Sequence, residues 1–263
     1  MDKPEQFLAA AREAALEAGH YLLKGLGQEK EVDFKGQVDL VTAYDRRSEE
    51  LIYEKLGRIF PGHSFLAEEA ISRKKPSDYC WLVDPLDGTT NYAHGLPVFC
   101  VSIALLRREE IIIGVVYDPC RKELFTAVRG QGAYLNDRQV RVSDATELGR
   151  SLLATGFPYD VRTSPDNNLS HFANFAVRAQ AIRRLGSAAL DLCYVACGRF
   201  DGYWELKLKP WDLAAGALIV SEAGGRVSDL QGRDFTISSP HLVASNGRIH
   251  QAMLEIIALG LVK

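Results

Sequence analysis

Asp84-Pro85-Leu86-Asp87-Gly88-Thr89-Thr90-Asn91 follows directly on the apolar run Tyr79-Cys80-Trp81-Leu82-Val83, and the rest of the chain is read outward from this junction. The apolar run, rich in aromatic and β-branched residues, reads as a buried strand. Pro85 cannot donate to a sheet ladder, so the strand is expected to stop at Asp84. The turn that follows brings two carboxylates three residues apart into one space, with the Leu86 carbonyl between them. Gly88 permits an unusual backbone angle or the close approach of a ligand. Thr89 and Thr90 add hydroxyls and N–H groups suited to a phosphate oxygen. Hard oxygen donors at this density suit Mg²⁺, which keeps waters and substrate phosphate in its shell. A bare D-x-x-D would be an ordinary Asx-capped turn. The complete run at a strand end points to cation and phosphate chemistry instead.

On the N-terminal side, residues 4–24 read as an amphipathic helix: Pro4 suits its first turn, Phe7, Leu8, Ala11, Ala15, Leu22 and Leu23 recur on one side, and Gly25 and Gly27 stop it. A loop with Lys35 and Asp39 leads to a second helix over about 43–59, with Leu51, Ile52, Leu56 and Ile59 on one face and Pro61-Gly62 beyond it. Beyond Asp84, apolar runs at 98–106, 111–117 and 123–128 join 79–83 in an extended antiparallel sheet, with Arg107-Arg108-Glu109-Glu110 as a hairpin turn. After about 145 the pattern alternates. Strands are expected at 151–155, 181–185, 203–205, near Val227 and at 241–245; helices at 166–180, from Gly186-Ser187 to Gly198, from Trp211-Asp212 to Gly224-Gly225, and at 246–259. That alternation implies a layered α/β lobe.

The bulk properties narrow the partners. With 31 Lys plus Arg against 34 Asp plus Glu, the formal charge of −3 offers no general attraction to nucleic acid or an anionic membrane. Apolar runs such as Ile111-Ile112-Ile113-Gly114-Val115-Val116 are too short to span a bilayer, and the charged N-terminus has no apolar signal core behind it. The five cysteines are odd in number and mostly sit in apolar runs, which suits free thiols in a reducing cytoplasm. Cys193 and Cys197 fall at i, i+4 but lack the further ligands a zinc site needs. No repeat or linker-like tract interrupts the chain, so residues 1–263 are expected to form a single unit, with an N-terminal α+β lobe over about 1–145 and a C-terminal α/β lobe over about 146–263.

Asp84–Asn91 resembles the first signature of the inositol monophosphatase family, and Trp211-Asp212-Leu213-Ala214-Ala215-Gly216 followed by Glu222-Ala223-Gly224-Gly225 resembles its second. Gly186-Ser187-Ala188-Ala189-Leu190-Asp191, Gly202-Tyr203-Trp204-Glu205, Asp39-Leu40-Val41-Thr42 and Asp45 match as well, so the resemblance runs along nearly the whole chain. It implies an α-β-α-β-α sandwich, usually a homodimer, with Mg²⁺ (two or three ions) and sensitivity to lithium. Residue by residue, it implies that Glu68, Asp84, the Leu86 carbonyl, Asp87 and Asp212 are metal ligands. Glu68 and Thr89 would assist the attacking water, with Asp45 holding the Thr89 hydroxyl. Asp87, Gly88, Thr89, Gly186, Ser187, Ala188, Glu205 and Asp212 would meet the substrate, Glu205 by accepting hydrogen bonds from its hydroxyls. Lys35 matches a lysine on a mobile loop near a weaker third metal.

The resemblance further implies hydrolysis of inositol 1-phosphate by direct attack of a metal-activated water, without a phosphoenzyme. Fructose 1,6-bisphosphate, histidinol phosphate, NADP or a phosphoadenosine nucleotide are alternative substrates for the same chemistry, although the short chain and Glu205 weigh against the nucleotides. A role in a transcription complex, as reported for some bacterial members, is the alternative from another class. His94 and the other five histidines match no catalytic position. Physical chemistry bears on the ligand set independently. Two carboxylates 4 Å apart repel by about 4 kcal/mol at an effective dielectric near 20, so such a cluster needs cations or protons.

Overall fold

A computed structural model of the chain describes residues 4–28, 32–34 and 40–260; Lys35 lies outside them. Helix α1 (Pro4–Gly25) buries Phe7, Ala11, Ala15, Ala18 and Leu22 on one side. Strands β1 (Val32–Phe34) and β2 (Leu40–Thr42) pair antiparallel, and helix α2 (Ala43–Ile59) starts on a capping box between Thr42 and Asp45. Of the apolar face expected on α2, Ile52 and Leu56 are buried, whereas Ile59 is 45% exposed where the helix ends.

The first sheet holds β3 (Ser64–Ala67), β4 (Ser72–Arg73), β5 (Tyr79–Asp87), β6 (Cys100–Arg107), β7 (Glu110–Asp118), β8 (Glu123–Val128), β9 (Ala133–Leu135) and β10 (Arg138–Gln139). Their order is β10-β9-β8-β7-β6-β5-β3-β4, with the short helix α3 (Thr89–Ala93) between β5 and β6. From β5 through β10 every pairing is antiparallel, and the β6–β7 turn is the expected hairpin, with Arg107 opposite Glu110. The four expected runs, β5 to β8, pair antiparallel as expected, and beyond them β3 adds a parallel strand against β5, Ser64 opposite Cys80 and Ala67 opposite Val83. The physical reason is that β4 folds back along the outer edge of β3, so the chain re-enters on the inner side in the direction of β3.

The second sheet has the order β12-β11-β13-β15-β14. Strand β11 (Leu152–Thr155) runs parallel to β12 (Ala181–Arg183) and β13 (Gly202–Glu205), while β15 (Leu242–Ser245) is antiparallel to β13 and to β14 (Arg226–Ser228). Helices α4 (Leu169–Ala176), α5 (Ala188–Ala196) and α6 (Pro210–Glu222) lie between these strands in sequence, and α7 (His250–Ile257) follows β15. Helix α4 starts later than expected, because Asn168 takes a left-handed φ of 70° just before it, and it ends early, at Ala176. Helix α7 starts late, because Asn246 folds its own side chain onto the N–H groups of Arg248 and Ile249 in an Asx turn.

Side-chain alternation along the strands explains the stacking. Trp81, Val83, Val101, Ile103 and Leu105 pack with α1 and α2, while Leu82, Cys100, Ala104 and Leu106 face α5 and α6. Gly114 of β7 lets α6 approach closely: a Cβ there would sit 2.8 Å from the Ala215 carbonyl oxygen. Tyr203, Leu242 and Ala244 of the second sheet join the same α5/α6 core, and its far face, with Leu153, Trp204 and Val243, is closed by Phe175 of α4 and Met253 and Ile257 of α7. The layers are therefore helix, sheet, helix, sheet, helix. Among the described residues no helix is long and apolar enough to cross a membrane.

Candidate active site

The strand carrying the two aspartates does not stop at Asp84. It continues to Asp87 with a bulge, since Asp84 pairs with Ser102 but Asp87 pairs with Cys100, three residues against two. In a regular strand residues three apart point to opposite faces; one extra residue restores both to the same side. Pro85, which has no N–H to lose, sits in the bulge. Asp84 is 2% exposed, and its Oδ1 accepts the Leu86 N–H at 3.0 Å. Gly88 follows with φ 98°, where a Cβ would come within 2.9 Å of the Val98 carbonyl oxygen, so no other residue fits this corner.

Helix α2 reaches this corner through three buried polar side chains, Asp45, Ser48 and Glu49, at i, i+3 and i+4 on one face. Asp45 Oδ1 accepts the Thr89 hydroxyl at 2.9 Å, and its Oδ2 takes the Thr42 N–H at 2.8 Å and the Thr42 hydroxyl at 2.5 Å. Burial pushes the Asp45 carboxyl up, against these hydrogen bonds. The Thr89 hydroxyl is also 3.0 Å from the Leu86 carbonyl oxygen. Its single proton is thus committed to this inner side, and only lone pairs remain for a ligand. Ser48 donates to the Pro85 carbonyl at 2.8 Å, pinning the bulge. Glu49 accepts three successive backbone N–H groups, from Glu69 (2.8 Å), Ala70 (2.9 Å) and Ile71 (2.6 Å), and so holds the loop that carries Glu68.

The opposite wall comes from the C-terminal half. Ser187 caps α5 and donates to Asp87 Oδ2 at 2.6 Å, while the Ala189 N–H adds a second bond at 2.8 Å. Asp212 stands in the first turn of α6 and accepts the Lys209 N–H at 2.8 Å. Glu205 ends β13, and Tyr203, two residues earlier on the same face, donates to it. Burial lifts the Glu205 carboxyl to about 7, against the hydrogen bond from Tyr203 and the nearby Arg184 guanidinium. Behind it, Asp191 is 1% exposed with Oδ1 unpartnered, and burial drives its carboxyl well above the usual range.

Glu68, Asp84, Leu86, Asp87, Gly88, Thr89, Gly186, Ser187, Ala188, Glu205 and Asp212 all line one cavity of about 270 Å³, together with Gly156, Phe157, Arg184 and Lys209. Every expected site residue among the described ones meets there except Asp45, which lies directly behind Thr89. The expected contact of Ser187 with substrate competes with the bond it already makes to Asp87. Ser48, Glu49 and Gly156 went unnoticed in the sequence. The first two had a signal: tracing the buried stripe of α2 backward from Leu56 and Ile52 leads to Glu49, Ser48 and Asp45, polar residues at core positions.

The donor set fits a hard divalent cation. It is all oxygen, and burial first, then neighbouring carboxylates, push Asp84 well above the ordinary range: Glu68, Asp87 and Asp212 all act on it. Burial also raises Asp87 and Asp212, the first opposed by Ser187 and the N–H groups of α5, the second by the Lys209 N–H. Among the described residues no Lys or Arg side chain stands among the main influences on these three acids, and a bound cation would relieve the crowding of carboxylates around Asp84. As the side chains stand, no three Asp, Glu, His or Cys groups among the described residues already converge to hold an ion. Asp84, Asp87 and Asp212 each have one oxygen turned to a backbone N–H.

Residues 3–259 match the model of the inositol monophosphatase family. An inositol-1-monophosphatase from Synechocystis is 46% identical over 97% of this chain and 89% of its own length. A protein of Neisseria meningitidis serogroup B named as a putative Nus factor SuhB is 44% identical over 96% of this chain and 98% of its own. Among solved structures, inositol monophosphatase from Anabaena superimposes with a TM-score of 0.89 at 45% identity, covering 97% of this chain and 96% of that one.

Proposed function

The chain belongs to the inositol monophosphatase family, and on that footing we propose that it is a Mg²⁺-dependent phosphomonoesterase hydrolysing inositol 1-phosphate to inositol and phosphate. The observation that carries this reading is the convergence of four acids, Glu68, Asp84, Asp87 and Asp212, on one cavity, with burial raising the last three carboxyls, beside a hydroxyl already oriented by Asp45. In this reading Glu68, Asp84, the Leu86 carbonyl, Asp87 and Asp212 hold two Mg²⁺ ions, with a third, weaker ion near Lys35. Bound there, the ions would neutralise the phosphoryl dianion, lower the pKa of water and stabilise the departing alkoxide.

The protein's own groups do the positioning. Thr89, its proton given to Asp45 or Leu86, offers a lone pair to one hydrogen of the attacking water, and Glu68 takes the other as the new P–O bond forms. A water near Asp212 returns a proton to the inositol oxygen as the ester P–O bond breaks. Helix α5, through Gly186, Ser187 and Ala188, and Glu205 face the ring hydroxyls. Glu205, lifted to about 7, can accept from a hydroxyl when ionised.

Substitution of Asp84 by Asn tests the ligand assignment: phosphate release from inositol 1-phosphate falls by several orders of magnitude with the fold retained, and near-normal turnover would sink it. A panel with fructose 1,6-bisphosphate, histidinol phosphate and NADP tests the substrate; a higher kcat/KM for any of these than for inositol 1-phosphate reassigns it. We read residues 1–263 as one unit that forms a homodimer in a reducing cytoplasm and is inhibited by lithium. Light scattering and a lithium titration check the dimer and the inhibition. A second reading, an added role in a transcription complex, is favoured by the relative named as a putative Nus factor; failure to co-purify with RNA polymerase would count against it.

A further inference from the structure

Gly156 lies at the end of β11, where the chain leaves the sheet and enters the cavity wall. A Cβ at this position would sit 2.1 Å from Glu205 Oε1 and 2.2 Å from both Cδ and Oε2. Near-equal distances to all three atoms mean that the carboxylate lies flat over the Gly156 backbone. The two backbones are held in place, so a Cβ here would have to displace the carboxylate, the movable end of the Glu205 side chain. Thr155 stands opposite Trp204 in the parallel pairing of β11 with β13, and its hydroxyl donates to the Trp204 carbonyl at 2.6 Å. The Trp204 indole N–H donates to Asn168 Oδ1 at 2.7 Å, and Asn168 Nδ2 donates to Thr155 Oγ1 at 2.9 Å and to the Gly156 carbonyl at 2.6 Å. Thr155, Asn168 and Trp204 are at most 2% exposed. This closed ring of buried hydrogen bonds fixes Gly156 and Glu205 to the same frame. On the other side of Glu205, Tyr203 donates to Oε2.

We propose that Gly156 is a specificity-determining residue: by leaving its face bare it seats the Glu205 carboxylate where substrate hydroxyls are read, and any side chain there would push that carboxylate aside. The ligand class it selects is a phosphate monoester of a polyol with hydroxyls away from the ester, rather than a simple aryl or alkyl phosphate. The inference rests on the reading that Glu205 accepts hydrogen bonds from substrate. Gly156 acts through Glu205, so it is a positioning residue, and its effect belongs in KM for hydroxylated substrates.

The test is a cycle of Gly156→Ala, Glu205→Ala and the double variant. For each, kcat/KM is measured with inositol 1-phosphate and with phenyl phosphate, and thermal melting is followed. Selectivity, the ratio of the two kcat/KM values, falls about tenfold in Gly156→Ala, mostly through KM for inositol 1-phosphate, the size expected of one well-placed charged hydrogen bond. Glu205→Ala lowers it similarly. The double variant falls no further and melts like Glu205→Ala, because the added methyl then meets no carboxylate. Should Gly156→Ala fail to fold, the double variant recovers the fold; if it does not, the methyl clashes elsewhere and the inference is overturned. Wild-type selectivity in Gly156→Ala, with selectivity lost in Glu205→Ala, overturns the role of Gly156 alone. Wild-type selectivity in Glu205→Ala removes the reading of Glu205 and this inference with it.

Discussion

Glu49 touches neither cation nor substrate in this account, yet removing it should disable the site by releasing Glu68. Its carboxylate, 2% exposed, takes the N–H groups of three consecutive residues directly after Glu68. Each hydrogen bond to a charged group contributes about 1.5–3 kcal/mol. The full sum overstates the loss in Glu49→Ala, because Glu69 and Ile71 are only half-buried and Ala70 is exposed, so the freed N–H groups regain water. A net cost of about 3 kcal/mol is a reasonable centre, equivalent to roughly 6–12 °C in Tm for a chain of this size. Part of that cost should appear as weaker cation binding: about 1.4 kcal/mol is tenfold, so the Mg²⁺ concentration for half-maximal turnover should rise some 10- to 100-fold. Glu49→Gln should fall between. Its one oxygen can keep the Ala70 and Ile71 bonds, but its NH₂ then faces the Glu69 N–H. The assay is turnover of inositol 1-phosphate against Mg²⁺ concentration, beside a thermal melt. A Glu49→Ala enzyme that melts early but keeps the wild-type Mg²⁺ dependence would show that Glu49 stabilises the loop without placing Glu68.

Thr89→Ala should lower kcat about 10²-fold, the usual size for loss of one positioned proton-handling group, with little change in KM, while Thr89→Ser should retain most of the rate; equal losses in both variants would remove the hydroxyl from the mechanism. His250 is fully buried between two serines. The Ser228 proton goes to the Asp229 carbonyl, so Ser228 accepts from Nε2–H, and Ser245, which accepts the Gly247 N–H, donates to Nδ1. Burial depresses this histidine from 6.5 to about 4, so the folded state keeps it neutral while the unfolded chain protonates first. Its stabilisation is complete above pH 6.5 and is lost between there and about pH 4, roughly 3 kcal/mol at most. Denaturant titrations of wild type and His250→Asn across that window check it; equal acid sensitivity would show that another group is responsible.

The order and type of most long elements were legible because their apolar periods were clean. Helix α2, strands β5 to β8 and helix α6 lie within a few residues of their expected spans. What the sequence could not reveal was local geometry set by distant neighbours. Pro85 looked like a strand terminator, but a bulge against β6 carries the strand through it, and that bulge turns Asp84 and Asp87 to one side. The parallel β3 depends on where β4 folds back, which no residue near Ser64 encodes alone. Asp45 shows how a structural and a functional role share one residue: it closes the capping box at α2 and holds Thr89 with its other oxygen. Gly156 carried no signal at all, because its importance lies in a carboxylate 49 residues downstream.

The central claim is that Glu68, Asp84, Asp87 and Asp212 form a cation-dependent phosphatase centre. Its most direct test is phosphate release from inositol 1-phosphate as Mg²⁺ is added back to enzyme stripped with a chelator, for the wild type and for Asp84→Asn. The stripped wild type should show no measurable turnover and full recovery with Mg²⁺, and Asp84→Asn no recovery at any concentration. Turnover that persists in the chelated wild type, or returns in Asp84→Asn at the same Mg²⁺ concentration, would contradict it.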